Sequence, residues 1–161
     1  MVTIAERLRS MGYATALVGK WHLGFSGGRH PLDQGFDTFF GFKGTTPDYV
    51  GHDPKAPGYR QRTQIRNTGS VTDTLGAEAV QLLSDPARTK PLFLFLAWTA
   101  PHDPLQGTLA QRIAEMDANT GRVVAAARPN TLFFWAGDNG RATSSPLRGG
   151  NYDILEGVVI T

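Results

Sequence analysis

A few residues stand out for the chemistry their side chains could do. Lys20 and His22 lie in Gly19-Lys20-Trp21-His22, His102 lies in Ala100-Pro101-His102-Asp103-Pro104, and Asp138 and Asn139 open Asp138-Asn139-Gly140. Lysine is a compact cationic donor for an anion. Histidine serves near neutral pH as a general acid, a metal ligand or an anion donor. An Asp–Asn pair offers hard oxygens, which suit Ca²⁺ or Mg²⁺ rather than a soft metal. Each also has a plainer use. Asp-Asn-Gly makes a good turn, a proline-flanked histidine can tie down a loop, and a lysine can simply be solvated.

What unites these residues is where they fall relative to the elements that must carry them. Ala14 to Val18 reads as a short buried strand that ends at Gly19-Lys20-Trp21-His22. Pro91 to Trp98 is apolar on both faces, as a central parallel strand should be, and leads to His102. Thr131 to Ala136 reads as another buried strand, ending at Gly137-Asp138-Asn139. Helical spacing links Ile4, Leu8 and Met11, with Gly12 as the stop. A second helix, capped by Thr72, has Leu75, Ala79, Leu82 and Leu83 on its apolar face and stops at Asp85-Pro86. A third starts near Thr108 and runs through Leu109, Ile113, Met116, Val123 and Ala127 to Pro129. Strands alternating with helices predict an α/β sheet covered on both faces. In such sheets ligands bind beyond the carboxyl ends of the strands, which is where all five residues fall.

The rest of the chain gives fewer signals. Leu23 to Ser70 is rich in Gly, Pro and aromatics and reads as an irregular excursion, with Phe36, Phe39, Phe40 and Phe42 as local core. Tyr59 to Arg66 is basic but lacks the breadth and stacking aromatics of a nucleic-acid face, so it reads as a solvated loop. The 161 residues suit one domain, and 40% apolar content argues against general disorder. The 19 glycines and 10 prolines point to long shaped loops. Having no cysteine, the chain has no disulfide, thiolate metal site or cysteine nucleophile. A net charge of +2 implies neither a nucleic-acid nor a membrane partner. The longest apolar run, Leu92 to Trp98, is far short of a bilayer span, and no basic-then-apolar leader opens the chain.

Gly12 to Gly24, in particular Gly19-Lys20-Trp21-His22-Leu23-Gly24, resembles the second signature of the sulfatases, the arylsulfatase-type hydrolases of the alkaline-phosphatase-like superfamily. The likeness continues in family order. It runs through Gly35-Phe36-Asp37, Phe39-Phe40-Gly41, Ala100 to Gln106, Met116-Asp117, Gly121-Arg122, Asn130-Thr131, Asp138-Asn139-Gly140 and Pro146 to Gly150. The fold it implies is an alkaline-phosphatase-like sandwich, a largely parallel sheet flanked by helices, here truncated: residues 1–161 as a partial sulfatase catalytic domain.

The function implied is metal-dependent hydrolysis of aryl or carbohydrate sulfate esters. By the same resemblance Lys20, His22 and His102 surround the sulfate and the leaving oxygen, while Asp138 and Asn139 form part of a Ca²⁺ site, Mg²⁺ in some members. Partners would be sulfate esters or sulfated carbohydrates, without nucleic acid or a membrane span. Members are often secreted, periplasmic or lysosomal.

Departures from the family pattern qualify this reading. Family nucleophiles are formylglycine hydrates made in a Cys/Ser-x-Pro-x-Arg motif. That motif and a metal-binding Asp-Asp pair lie upstream of the Gly-Lys-Trp-His block, before this chain begins. Ser144-Ser145-Pro146-Leu147-Arg148 fits the motif by its letters, but it follows Asp-Asn-Gly and matches the family's late Pro-Leu-Arg-Gly block. Asn151 occupies the substrate-binding position where the family usually has lysine. The C-terminal part of the domain is also expected to be missing. Ca²⁺ takes about 6–8 oxygens, so Asp138 and Asn139 alone predict weak metal binding. The alternatives are a non-catalytic anion-binding or interaction protein derived from a sulfatase, or part of a related phosphate- or phosphonate-ester hydrolase. The chain incubated with an aryl sulfate and Ca²⁺ is expected to release no phenol above the buffer rate; robust turnover would refute the incomplete-site reading.

Overall fold

The structure, a computed structural model, describes residues 1–44, 58–66, 69–102 and 107–137. The chain divides into two units, Met1–Arg128 and Pro129–Thr161. Among its described residues the first contains three α-helices and a five-stranded mixed sheet. The strands are β1 (Ala14–Trp21), β2 (Thr38–Lys43), β3 (Gly58–Arg60), β4 (Thr63–Ile65) and β5 (Leu92–Ala97), in the order β4-β3-β2-β1-β5. β1 runs parallel to both β2 and β5, whereas β3 and β4 add an antiparallel hairpin to β2.

Alternation along the strands sends side chains to two layers. On one face Val18, Phe40 and Phe42 meet Val71 and Leu75 of α2 (Val71–Leu83), with Met116 of α3 (Leu109–Ala126) packed against them. On the other, Leu17, Trp21, Phe36 and Phe39 enclose Ala5 of α1 (Ile4–Ser10). β5 feeds both layers: Leu92, Leu94 and Leu96 pack towards the α2–α3 side, while Phe93 stacks on Phe36 at 6.2 Å between ring centres.

Polar contacts fix how the helices meet. The Ser70 hydroxyl caps α2 and also meets the Glu115 carboxylate of α3. Asn119, buried in α3, donates to the Asp73 carboxylate at 2.8 Å and lies against Gly76. The hairpin is tied to α2 by a bidentate Arg60–Glu78 pair, both contacts at 2.7 Å, and the Arg60 guanidinium also lies over the Phe40 ring. Hydrogen bonding to Glu78 pushes the Arg60 pKa up further, against the effect of burial.

Several sequence expectations need correction. β2 falls within the stretch read as irregular; its Phe39-Phe40-Gly41-Phe42 core is one residue per face in alternation rather than a loop cluster. Tyr59 to Arg66 is not a loop but holds most of the β3–β4 hairpin, whose residues 60–64 remain exposed. β5 is an edge strand among the described residues, with Phe95 half exposed, and it is β1 that lies between two parallel neighbours, β2 and β5. The cap of α2 is Ser70; Thr72 is already inside the helix and buried. In α1 the buried residue is Ala5, whereas Ile4 and Met11 are exposed.

Thr131 to Ala136 forms no strand, and Leu132, Phe133, Phe134 and Trp135 are exposed. An apolar run favours a strand only where a neighbour supplies the ladder, and here the described backbone has none. Arg141 to Thr161 lies outside the described residues.

Near their carboxyl ends three strands share a row in which two positions leave no room for a side chain. Gly19 pairs with Gly41 on one side and Ala97 on the other. A Cβ on Gly19 would run into the Ala97 carbonyl, and one on Gly41 into the Gly19 carbonyl. Gly19 also has φ +118°, a conformation that favours glycine. Gly41→Ala is therefore expected to cost on the order of 3 kcal/mol or prevent folding. Gly121→Ala, in exposed helix with nothing near its Cβ, should gain about 0.5–1 kcal/mol. Thermal melting of the two variants distinguishes these outcomes.

Candidate anion site at the sheet edge

The parallel register determines which side chains share an edge. Since Gly19 is level with Gly41 and Ala97, the chain leaves β1, β2 and β5 on the same side of the sheet. Lys20 and His22 come at the end of β1, Lys43 at the end of β2, and His102 five residues beyond β5. Lys20 is half-buried, while His22, Lys43 and His102 are exposed. Among the described residues Lys20, His22 and Lys43 enter no ion pair. Asp33 pairs with Arg62 among the described residues, and Asp37 accepts from the Thr15 amide at 3.1 Å. Lys20 and Lys43 thus bring positive charge to this edge outside any ion pair among the described residues, an electrostatic setting for an anion.

The segments bearing these groups are held down by backbone contacts. The Trp21 indole N–H donates to the Gly24 carbonyl at 2.8 Å and the Arg29 carbonyl at 2.9 Å, folding the loop after His22 back upon β1. The Gly44 amide donates to the Trp21 carbonyl at 3.0 Å, joining the ends of β1 and β2. Lys43 Nζ lies 5.6 Å from the centre of the Phe25 ring. After β5 the His102 amide donates to the Thr99 carbonyl at 2.9 Å, across a cis Ala100–Pro101 peptide.

The structure brings Lys20, His22 and His102 to one edge; it leaves the other expected site residues unplaced. Asp138, Asn139 and Asn151 lie outside the described residues. The strand expected to carry Asp138 and Asn139 is absent, as shown above. Among the described residues no group of three His, Cys, Asp or Glu side chains could hold a metal ion. The oxygen donors expected from the sequence, Asp138 and Asn139, suit a hard cation chemically but are by themselves only a minority of the oxygens Ca²⁺ takes.

Two residues near the edge escaped the sequence reading. Lys43 could have been found from the alternation of Phe39, Phe40 and Phe42, which marks a strand ending at Lys43. His30, the N-cap of the 3-10 turn Pro31–Gln34, is 3% exposed and wedged among Phe25 and Phe39, and nothing in its local sequence signals that burial. Its Nδ1 accepts from the Leu32 amide at 3.2 Å, and Nε2 has no hydrogen-bond partner among the described residues. Burial lowers its pKa, reinforced by Arg62 and opposed by Asp33 and the Gln61 backbone.

The family model described as Sulfatase matches residues 1–157. N-acetylgalactosamine-6-sulfatase of Mus musculus is 31% identical over 184 residues, covering 92% of this chain and 35% of that protein. A crystal structure of Ps i-CgsB in complex with k-i-k-neocarrahexaose superposes with a TM-score of 0.87 at 27% identity, covering 96% of this chain and 45% of that one. The structure of BT4656 in complex with its substrate D-Glucosamine-2-N, 6-O-disulfate superposes with a TM-score of 0.51 at 28% identity, over 63% of this chain and 19% of that one. The chain thus spans about a third of the length of the curated relative and under half of each solved structure.

The lowered His30 pKa has a definite sign. From its ordinary value near 6.5 downward, the unfolded chain takes up a proton that the folded chain resists, so this contribution is complete above pH 6.5 and declines as pH falls. It stops declining once the folded pKa is passed. Urea midpoints of wild type and His30→Asn, which keeps a capping side chain, should diverge in pH dependence below pH 6.5. Parallel pH profiles would contradict this assignment.

Proposed function

The chain belongs to the sulfatase family, and on that premise we propose that it forms the anion-binding edge of a sulfuric ester hydrolase. The reaction is R–O–SO₃⁻ + H₂O → R–OH + HSO₄⁻. Within it, Lys20 and the two histidines, His22 and His102, hold the sulfate oxygens, and a histidine donates the proton that the leaving oxygen needs. The observation that carries this reading is the shared edge: three parallel strands in register lead to Lys20, Lys43, His22 and His102 on one side of the sheet, with Lys20 and Lys43 in no ion pair among the described residues. By the family resemblance Asn151, an amide where the family usually has a lysine, would offer an anion a neutral rather than a charged donor.

The family is generally metal-dependent. In this chain Asp138 and Asn139 are the groups that would hold the ion, Ca²⁺ or Mg²⁺, and the bound cation would supply positive charge against the developing sulfate charge. The substrate class is a sulfated carbohydrate or an aryl sulfate, the former favoured by the relative named for N-acetylgalactosamine-6-sulfate chemistry and by the disulfated glucosamine bound to BT4656.

Titration of the chain with inorganic sulfate, followed by calorimetry at low ionic strength, tests the edge directly. Removing a charged donor from an anion costs about 1.5–3 kcal/mol, so Lys20→Ala should weaken sulfate binding by roughly 10- to 150-fold. Binding that is saturable but indifferent to Lys20 would move the anion site elsewhere. Saturable binding without hydrolysis, also in a longer chain that carries the family's nucleophile motif, would favour the non-catalytic anion-binding alternative.

A further inference from the structure

Arg112 is an arginine in an unexpected place. It lies at the end of the first turn of α3, only 7% exposed, at the helix end whose dipole favours anions. Burying a guanidinium there is costly unless its donors are used. One of them, Nη1, donates to the His102 carbonyl at 3.2 Å. On its other side the His102 amide already donates to the Thr99 carbonyl at 2.9 Å. Both peptide groups flanking the His102 Cα are therefore held, one by the turn itself and one by a charge rooted in a helix.

The His102 side chain is exposed, so burial does little to aim it. The backbone that carries it sets where its Cβ sits. The α3 end of this link is itself well defined: Thr108 and Gln111 form a reciprocal capping box, with the Thr108 amide donating to Gln111 at 2.8 Å and the Gln111 amide to Thr108 at 3.2 Å. α3 packs in turn on α2, beneath the sheet.

We propose that Arg112 is a positioning residue for His102, fixing the turn after β5 so that the imidazole keeps one direction at the sheet edge. Its importance for anion binding rests on the reading that His102 contacts the sulfate. Lysine cannot fully replace it, because an ammonium lacks the planar, preset fork of a guanidinium.

The test uses the full chain labelled with ¹⁵N-histidine, with the four histidine rings resolved by NMR and His102 assigned from His102→Gln. In wild type the His102 ring is expected to give one narrow set of resonances that shifts saturably with inorganic sulfate. Arg112→Met should broaden or multiply that set and weaken the sulfate response at least fivefold, while the sulfate-free His22 resonances stay in place. Arg112→Lys should recover part of both effects. A folded Arg112→Met chain with His102 resonances and sulfate affinity like wild type overturns the proposal. So does a loss that alters His22 and His102 alike, which is general loosening. If Arg112→Met does not fold, Arg112→Lys is judged by the same two outcomes. If wild type shows no sulfate response, the reading of His102 as an anion contact fails, and positioning by Arg112 is decided on the ring resonances alone.

Discussion

The whole arrangement depends on how closely three parallel backbones approach one another at the row Ala97–Gly19–Gly41. Side chains above glycine size are excluded from Gly19 and Gly41 because carbonyl groups already occupy the space. That exclusion locks the register, and register is what decides which residues emerge together at the strand ends. A slip of one residue along β1 would move Lys20 from its place level with Phe42 and send its side chain to the other face of the sheet. The chemistry at the edge is thus set by two residues that have no side chain to contribute.

The layers behind that edge have different tasks. The α1 side is mostly aromatic and closes around Ala5, with Thr3 of the α1 cap donating to the Gln34 carbonyl at 2.7 Å. The α2–α3 side mixes aliphatic packing with buried polar links through Ser70, Asp73, Glu115 and Asn119. Satisfied polar groups of this kind favour one helix docking over its sliding alternatives. Because the His102 turn is connected to α3, the precision of that docking reaches the site.

Where a single element's own pattern decides its state, sequence reading works. β1, β5 and α3 are legible because an apolar run or a helical period is enough, and the α3 cap at Thr108 follows from residue type. Lys20, His22 and His102 were identifiable as edge residues because they follow such strands. β2 was obscured by Gly41, whose lack of a side chain serves strand contact but reads locally as a break. Thr131 to Ala136 shows the reverse: a run with every local mark of a strand, which lies exposed without ladder partners among the described residues. Arg112 was illegible in principle, since nothing in a helical sequence says that one arginine is buried against a turn ten residues earlier. The placement of Asp138, Asn139 and Asn151 lies outside the described residues.

The hairpin at the far side of the sheet has a consequence for how these molecules coexist at high concentration. β4 is only three residues long, and the turn before it carries Arg62, held by Asp33, and Gln61 in a left-handed conformation with φ 56°. Such a stub, charged and twisted, gives an incoming backbone too little ladder to grip. Among the described residues β4 is therefore an edge that disfavours fibrillar growth by edge-to-edge pairing on this flank.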